Sequence, residues 1–128
     1  MGSKHVLIVE DNPANLQLAA FLLKKGGFHV SSATHGAEAV ETVKAGKFDL
    51  ILMDIEMPGM DGLTATRTIK ADPAFAHIPI VALTAYAMKG DKERCLSAGC
   101  CGYITKPINT REFVQTVTTF LPPEPVSA

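Results

Sequence analysis

Five short apolar runs alternate along the chain with longer stretches whose hydrophobic positions recur at helical spacing. The first run, Val6-Leu7-Ile8-Val9, is continuous, the form expected of a strand covered on both faces, and it stops abruptly at Glu10-Asp11. Asp11 or Asn12 can cap a helix that Pro13 opens and that continues to Lys25, where Gly26-Gly27 ends it. A second cycle has Phe28 to Ala33 as a weaker strand and Gly36 to Ala45 as a helix carrying Ala37, Val40 and Val43. In the third, Leu50 to Met53 is the strand, Asp54 to Asp61 is irregular, and a helix near Gly62 to Ala71 is broken by Asp72-Pro73. Ile80 to Leu83 forms the fourth strand, entered through Pro79 and ended at Thr84, and its helix is expected from Gly90 to Ala98, closed by Gly99. A last short strand, Gly102 to Thr105, meets Lys106-Pro107. A helix from Thr110 to Leu121 follows, before Pro122, Pro123 and Pro125 prevent further regular structure.

Strand and helix in strict alternation predict a parallel sheet with helices on both faces, because right-handed crossovers pack over the sheet. The Phe28 to Ala33 strand carries Ser31 and Ser32 and the Gly102 to Thr105 strand is short, so these two suit the sheet edges. The expected fold is a three-layer α/β domain, a flavodoxin-like (βα)5 unit with a five-stranded parallel sheet in the order 2-1-3-4-5. It should occupy residues 4–121, leaving 122–128 as a flexible proline-rich tail. The first helix carries more apolar residues than one stripe needs. Leu18 and Leu22 are assigned to the sheet, which leaves Leu16, Ala20 and Leu23 as an exposed strip able to dock a helical partner.

Composition narrows the class. At 128 residues, 47% of them hydrophobic and 20% charged, the chain suits one soluble domain with its own core. Its longest apolar runs, such as Leu18 to Leu23, are far too short to span a membrane, and no signal-peptide pattern precedes Val6, so a cytoplasmic protein is expected. Cys95, Cys100 and Cys101 lack CxxC spacing and read as reduced, small buried hydrophobes, while His5, His29, His35 and His77 are dispersed without ligand spacing. A net charge of −1 offers no basic face for nucleic acid.

The strand ends concentrate the chemistry. Glu10 and Asp11 follow the first strand, Asp54 the third, Thr84 the fourth and Lys106 the last, so all five can converge on one crevice at the carboxyl edge of the sheet. Three carboxylates packed there repel one another unless a cation neutralises them, and an oxygen-only donor set favours magnesium, or manganese, over zinc. An aspartate beside a dication can attack phosphorus, with Lys106 and the Thr84 hydroxyl placed to steady charge on the equatorial oxygens. Phosphoryl transfer to Asp54 uses every member of the set. Asp61 reads as the cap of the third helix.

Val9-Glu10-Asp11-Asn12, Met53-Asp54-Ile55-Glu56-Met57-Pro58-Gly59-Met60-Asp61-Gly62, Leu83-Thr84-Ala85 and Tyr103-Ile104-Thr105-Lys106-Pro107 together resemble the receiver domain of bacterial two-component response regulators. The likeness spans residues 4 to 121 and is to receivers of the chemotaxis-regulator kind. It implies that Asp54 accepts the phosphoryl group and that Asp11 and Glu10 hold Mg2+, Glu10 through a water. The Glu56 backbone carbonyl completes the protein ligands, and Lys106 contacts the phosphoryl group beside a cis Lys106-Pro107 bond. Thr84 and Tyr103 match the family's switch pair: the hydroxyl moves toward the phosphoryl group, the ring turns inward, and the surface around the fourth helix, fifth strand and fifth helix changes. Glu56 and Tyr86, two residues beyond Asp54 and Thr84, are placed to tune dephosphorylation. A sensor histidine kinase or histidine phosphotransfer protein would be the donor and a separate protein the target. Catalysis would be confined to the protein's own phosphorylation and dephosphorylation. Cys101 departs from the family pattern, which often has an acidic or small residue there.

Three rival functions are disfavoured. A haloacid-dehalogenase-type phosphohydrolase would carry its nucleophile after the first strand and a substrate cap. A flavin carrier would need a hydroxyl- and glycine-rich first turn where this chain has Glu10-Asp11-Asn12. An unphosphorylated binding module would be expected to lack Asp54 or Lys106. A complete single-domain regulator and a receiver belonging to a hybrid kinase both fit the sequence.

Overall fold

Each apolar run is a strand of one sheet in the computed structural model, which describes residues 4–56, 62–85 and 89–121. In chain order the elements are β1 (His5–Val9), α1 (Pro13–Lys25), β2 (His29–Ala33), α2 (Gly36–Ala45), β3 (Leu50–Asp54), α3 (Gly62–Lys70), β4 (Ile80–Thr84), α4 (Lys89–Ala98), β5 (Gly102–Thr105) and α5 (Phe113–Phe120). The strands are parallel and lie in the order β2-β1-β3-β4-β5, the expected topology. Both predicted edge strands are at the edges, where their side chains are only partly covered, whereas β3 and β4 are buried throughout.

Alternation along each strand divides the core into two layers. Val6, Ile8, Leu52, Val81 and Leu83 pack with Ala19 and Leu23 of α1 and with Phe113 and Val117 of α5. Their neighbours Leu7, Val9, Ile51, Met53 and Ala82 face Val40 and Val43 of α2, Ile69 of α3 and Cys95 of α4. Strands covered this way need apolar residues at every position, which is why they read as continuous runs.

Four expectations are corrected. On α1 the inward residues are Leu16, Ala19, Ala20 and Leu23, with Leu23 fully buried, and Leu22 packs against the same layer as expected, whereas Leu18 is 36% exposed and Phe21 61% exposed. Two apolar stripes compete on this helix, and the 16-19-20-23 spacing gives one continuous face that Leu22 borders and Leu18 does not. The start of α5 is later than Thr110, because Asn109 Oδ1 accepts the backbone N–H groups of Arg111 at 3.0 Å and Glu112 at 3.3 Å and holds a turn there. Cys95 and Cys100 are buried as expected, but Cys101 is exposed at the entrance to the edge strand. On α2, Ala37 points outward and Ala39 takes its place in the core. Tyr86, Asp61 and the 122–128 tail lie outside the described residues.

Candidate functional site

Parallel register sets the strand ends side by side. Val9 is level with Met53, Asp54 with Leu83, and Thr84 with Thr105, so the residues that follow β1, end β3 and follow β5 emerge along one edge. Backbone bonds extend the ladder past the strands: the Glu10 N–H donates to Ala33 O at 3.0 Å and the Lys106 N–H to Thr84 O at 2.7 Å. Lys106 Nζ then reaches across to Asp54 Oδ2 at 3.2 Å and to Glu10 Oε2 at 3.3 Å. Glu10, Asp11 and Asp54 each present a carboxylate oxygen, all within 4.8 Å of one another.

Burial makes this cluster costly. Glu10 is 2% exposed and Asp54 1%, so water screens their repulsion poorly. Burial first, then the hydrogen bond and charge of Asp54, push the Glu10 carboxyl from 4.5 up to about 7, against the opposing pull of the Asn12 N–H and Lys106. Burial works to lower the Lys106 ammonium, but the charges of Asp54 and Glu10 outweigh it and leave that group above its ordinary value. One ammonium does not cancel the charge of three converging acids, so the site favours a further source of positive charge. Three convergent carboxylates, joined among the described residues by no histidine or cysteine donor, fit a hard dication such as magnesium.

Backbone donors fix the two buried carboxylates, Glu10 and Asp54. Asn12 caps α1 by accepting the Asn15 N–H at 3.0 Å, and its own N–H donates to Glu10 Oε1 at 3.2 Å. The Glu56 N–H donates to Asp54 Oδ1 at 2.9 Å, and the Glu56 side chain crosses to accept the Ala85 N–H on Oε1 at 2.6 Å. Thr84 ends β4 with its side chain 2% exposed, one strand from Asp54. The Lys106-Pro107 peptide is cis. Tyr103 is half-buried against the layer that contains α2, α3 and α4, with Lys92 Nζ 5.9 Å from its ring centroid.

Sequence reasoning passed over two contributors. Gly62 opens α3 so close beneath Asp54 that a Cβ there would collide with the Asp54 carbonyl oxygen and lie 2.8 Å from Ile55 Cα. Its sequence signals were its place at the end of the motif that starts at Met53 and at the start of the third helix, neither of which shows this contact. The reach of the Glu56 carboxylate to Ala85 was invisible, because it depends on the β3–β4 register.

Residues 6–118 match the model of the response regulator receiver domain. The chain belongs to that family. Among its relatives, the polar-differentiation response regulator DivK of Brucella anthropi is 42% identical over 118 residues, which are 92% of this chain and 96% of that protein. Two solved structures superpose closely. The receiver domain of the sensor histidine kinase PA1611 from Pseudomonas aeruginosa, with a magnesium ion coordinated in its active-site cleft, has a TM-score of 0.85 at 37% identity, covering 93% of this chain and 98% of that one. The receiver of Ssk1, solved with the histidine phosphotransfer protein Ypd1 of Saccharomyces cerevisiae, has a TM-score of 0.84 at 33% identity, covering 93% and 89%. This receiver therefore carries its buried acids and its lysine on the fold that those signalling proteins share.

Proposed function

We propose that this receiver takes a phosphoryl group onto Asp54 and passes the signal to a separate protein through a changed surface. The observation that supports this most is the buried Asp54 carboxylate held between Lys106 Nζ at 3.2 Å and the N–H of Glu56 at 2.9 Å, beside two further acids. An aspartate so fixed keeps one geometry, and a nucleophile gains most from being aimed before the reaction begins.

Roles follow from position. Asp11, Asp54 and the Glu56 backbone carbonyl would hold Mg2+, with Mn2+ an alternative, and Glu10 would hold it through a water. The bound ion would offset the acids' charge and polarise the phosphoryl oxygens. Lys106 steadies the phosphoryl oxygens as charge builds on them, and Thr84 supplies a hydroxyl from the adjacent strand. Transfer forms the bond from an Asp54 oxygen to phosphorus and breaks the bond to the donor, whose atom keeps the electron pair. Glu56 and Tyr86 set how a later water reaches the phosphorus. These self-directed steps are the catalysis we assign to the chain.

Thr84 and Tyr103 form the switch. The half-buried ring and the cavity of about 390 Å³ between β5 and α5, lined in part by Tyr103, Pro107 and Phe113, mark the surface that would read it out to the target protein. The donor is a sensor histidine kinase or a histidine phosphotransfer protein, the latter being the kind of partner seen with Ssk1. Its docking face is the apolar pair Leu18 and Phe21 on α1, the helix that starts three residues beyond Glu10. Residues 4–121 make up the working unit. A cytoplasmic setting suits the three free cysteines, and among the described residues no helix is long and apolar enough to cross a membrane.

Reductive trapping tests the reading. After phosphorylation by a histidine-phosphorylated donor, borohydride should convert Asp54, and no other acid, to homoserine in the peptide map. Homoserine at Asp11, or 5-hydroxynorvaline at Glu10, instead would overturn the assignment.

A further inference from the structure

Glu56 makes two contacts that together bridge the mouth of the crevice. Its N–H donates to Asp54 Oδ1 at 2.9 Å, and its Oε1 accepts the Ala85 N–H at 2.6 Å. The parallel register explains the reach: Asp54 is level with Leu83, so Glu56 and Ala85, each two residues further on, stand opposite one another. A carboxylate therefore already occupies the backbone donor that follows Thr84. Such a donor, bonded tightly to one anion, suits any anion placed beside it. A phosphoryl group on Asp54 brings additional anionic oxygens to the same crevice mouth, where they would meet the Glu56 charge as well as the Ala85 N–H.

We propose that Glu56 is an internal competitor for the phosphoryl group, clasping the Ala85 N–H in the unphosphorylated protein and releasing it when Asp54 is modified. The clasp rests on the phosphoacceptor reading of Asp54 and adds a residue that sets how readily that state is reached. Glu56 is a positioning residue here, since its carboxylate makes and breaks no covalent bond. The Ala85 N–H then passes from Glu56 to the phosphoryl group, so the same exchange of anions couples chemistry at the end of β3 to the residue that follows β4. Part of the interaction of the phosphoryl group with the receiver goes into displacing the clasp, and removing the clasp should return it as affinity.

The test uses beryllofluoride, a non-covalent phosphoryl mimic, titrated into wild type, Glu56→Ala and Glu56→Gln at magnesium concentrations that saturate each protein. The amide resonance of Ala85 is recorded alongside. Glu56 is exposed, so neither substitution threatens the fold. Glu56→Ala should bind the mimic about tenfold more tightly, the scale of one charge-assisted hydrogen bond, and Glu56→Gln should fall between. Before the mimic is added, the Ala85 amide of Glu56→Ala should move toward the position of an unbonded amide. Equal or weaker binding by Glu56→Ala, with binding lost in Asp54→Asn, overturns the clasp alone. Binding that persists undiminished in Asp54→Asn overturns the phosphoacceptor reading beneath it.

Discussion

Lys106 Nζ stands 3.2 Å from Asp54 Oδ2, joining the connection after the edge strand β5 to the end of the central strand β3. The same ammonium lies 3.3 Å from Glu10, so one lysine serves two carboxylates that are almost wholly buried. Lys106→Met should therefore destabilise the metal-free protein by about 3 kcal/mol, because it leaves buried acids without their cation. Urea unfolding in a chelating buffer measures this. Added magnesium should recover much of the loss, and a Lys106→Met protein as stable as wild type without metal would mean the pair is incidental.

The raised carboxyl of Glu10 gives the metal-free protein a defined pH response. Its folded value of about 7 exceeds the unfolded value of 4.5, so the folded state holds the extra proton. The resulting stabilisation is complete below the unfolded value and is lost as pH rises through the folded one. Wild type should lose stability relative to Glu10→Gln between about pH 4.5 and 7. Magnesium should compete with the same proton, binding more tightly as pH rises toward 7 and releasing protons below it. Calorimetric titration at pH 6.5 in two buffers of different ionisation heat, about half a unit below the Glu10 value, would show that release.

Gly62 is the point where α3 meets β3. Gly62→Ala places a Cβ against the Asp54 carbonyl, and something in the backbone has to move. A cost of about 1 to 3 kcal/mol follows from such overpacking. The shift also reaches Asp54, so magnesium affinity should fall together with stability. Loss of stability with unchanged magnesium affinity would separate the glycine from the site.

The two exposed and buried stripes of α1 make opposite predictions. Leu23→Ala empties a fully buried position and should cost about 2 to 5 kcal/mol. Phe21→Ala, at 61% exposure, should change stability by less than about 0.5 kcal/mol. Phe21→Lys should slow phosphotransfer from a protein donor while leaving phosphorylation by a small acyl phosphate unaffected. Equal slowing with both donors would remove the docking role.

What could be read from the sequence follows from what each feature depends on. Val6 to Val9, Leu50 to Met53 and Ile80 to Leu83 announced themselves because strands covered on both faces have no polar positions to blur the run. Glu10, Asp11, Asp54 and Lys106 were recoverable because parallel strands deliver their carboxyl ends to one edge, so order along the chain becomes proximity. On α1, Leu22 packs inward as its spacing suggests, but Leu18 does not, since two apolar stripes look alike on a wheel and only packing chooses between them. Asn109 delayed α5 through a side-chain turn that helix propensity does not register. Gly62 and the Glu56 clasp depend on sub-ångström spacing and inter-strand register, which one-dimensional pattern does not carry.

Intact mass after incubation with magnesium and a small acyl phosphate puts Asp54 to the most direct trial. Wild type should gain a single phosphoryl group that disappears when the metal is chelated beforehand, and Asp54→Asn should gain none. An adduct of equal yield on Asp54→Asn, or one formed as readily without magnesium, would contradict the assignment of Asp54 as a metal-assisted acceptor.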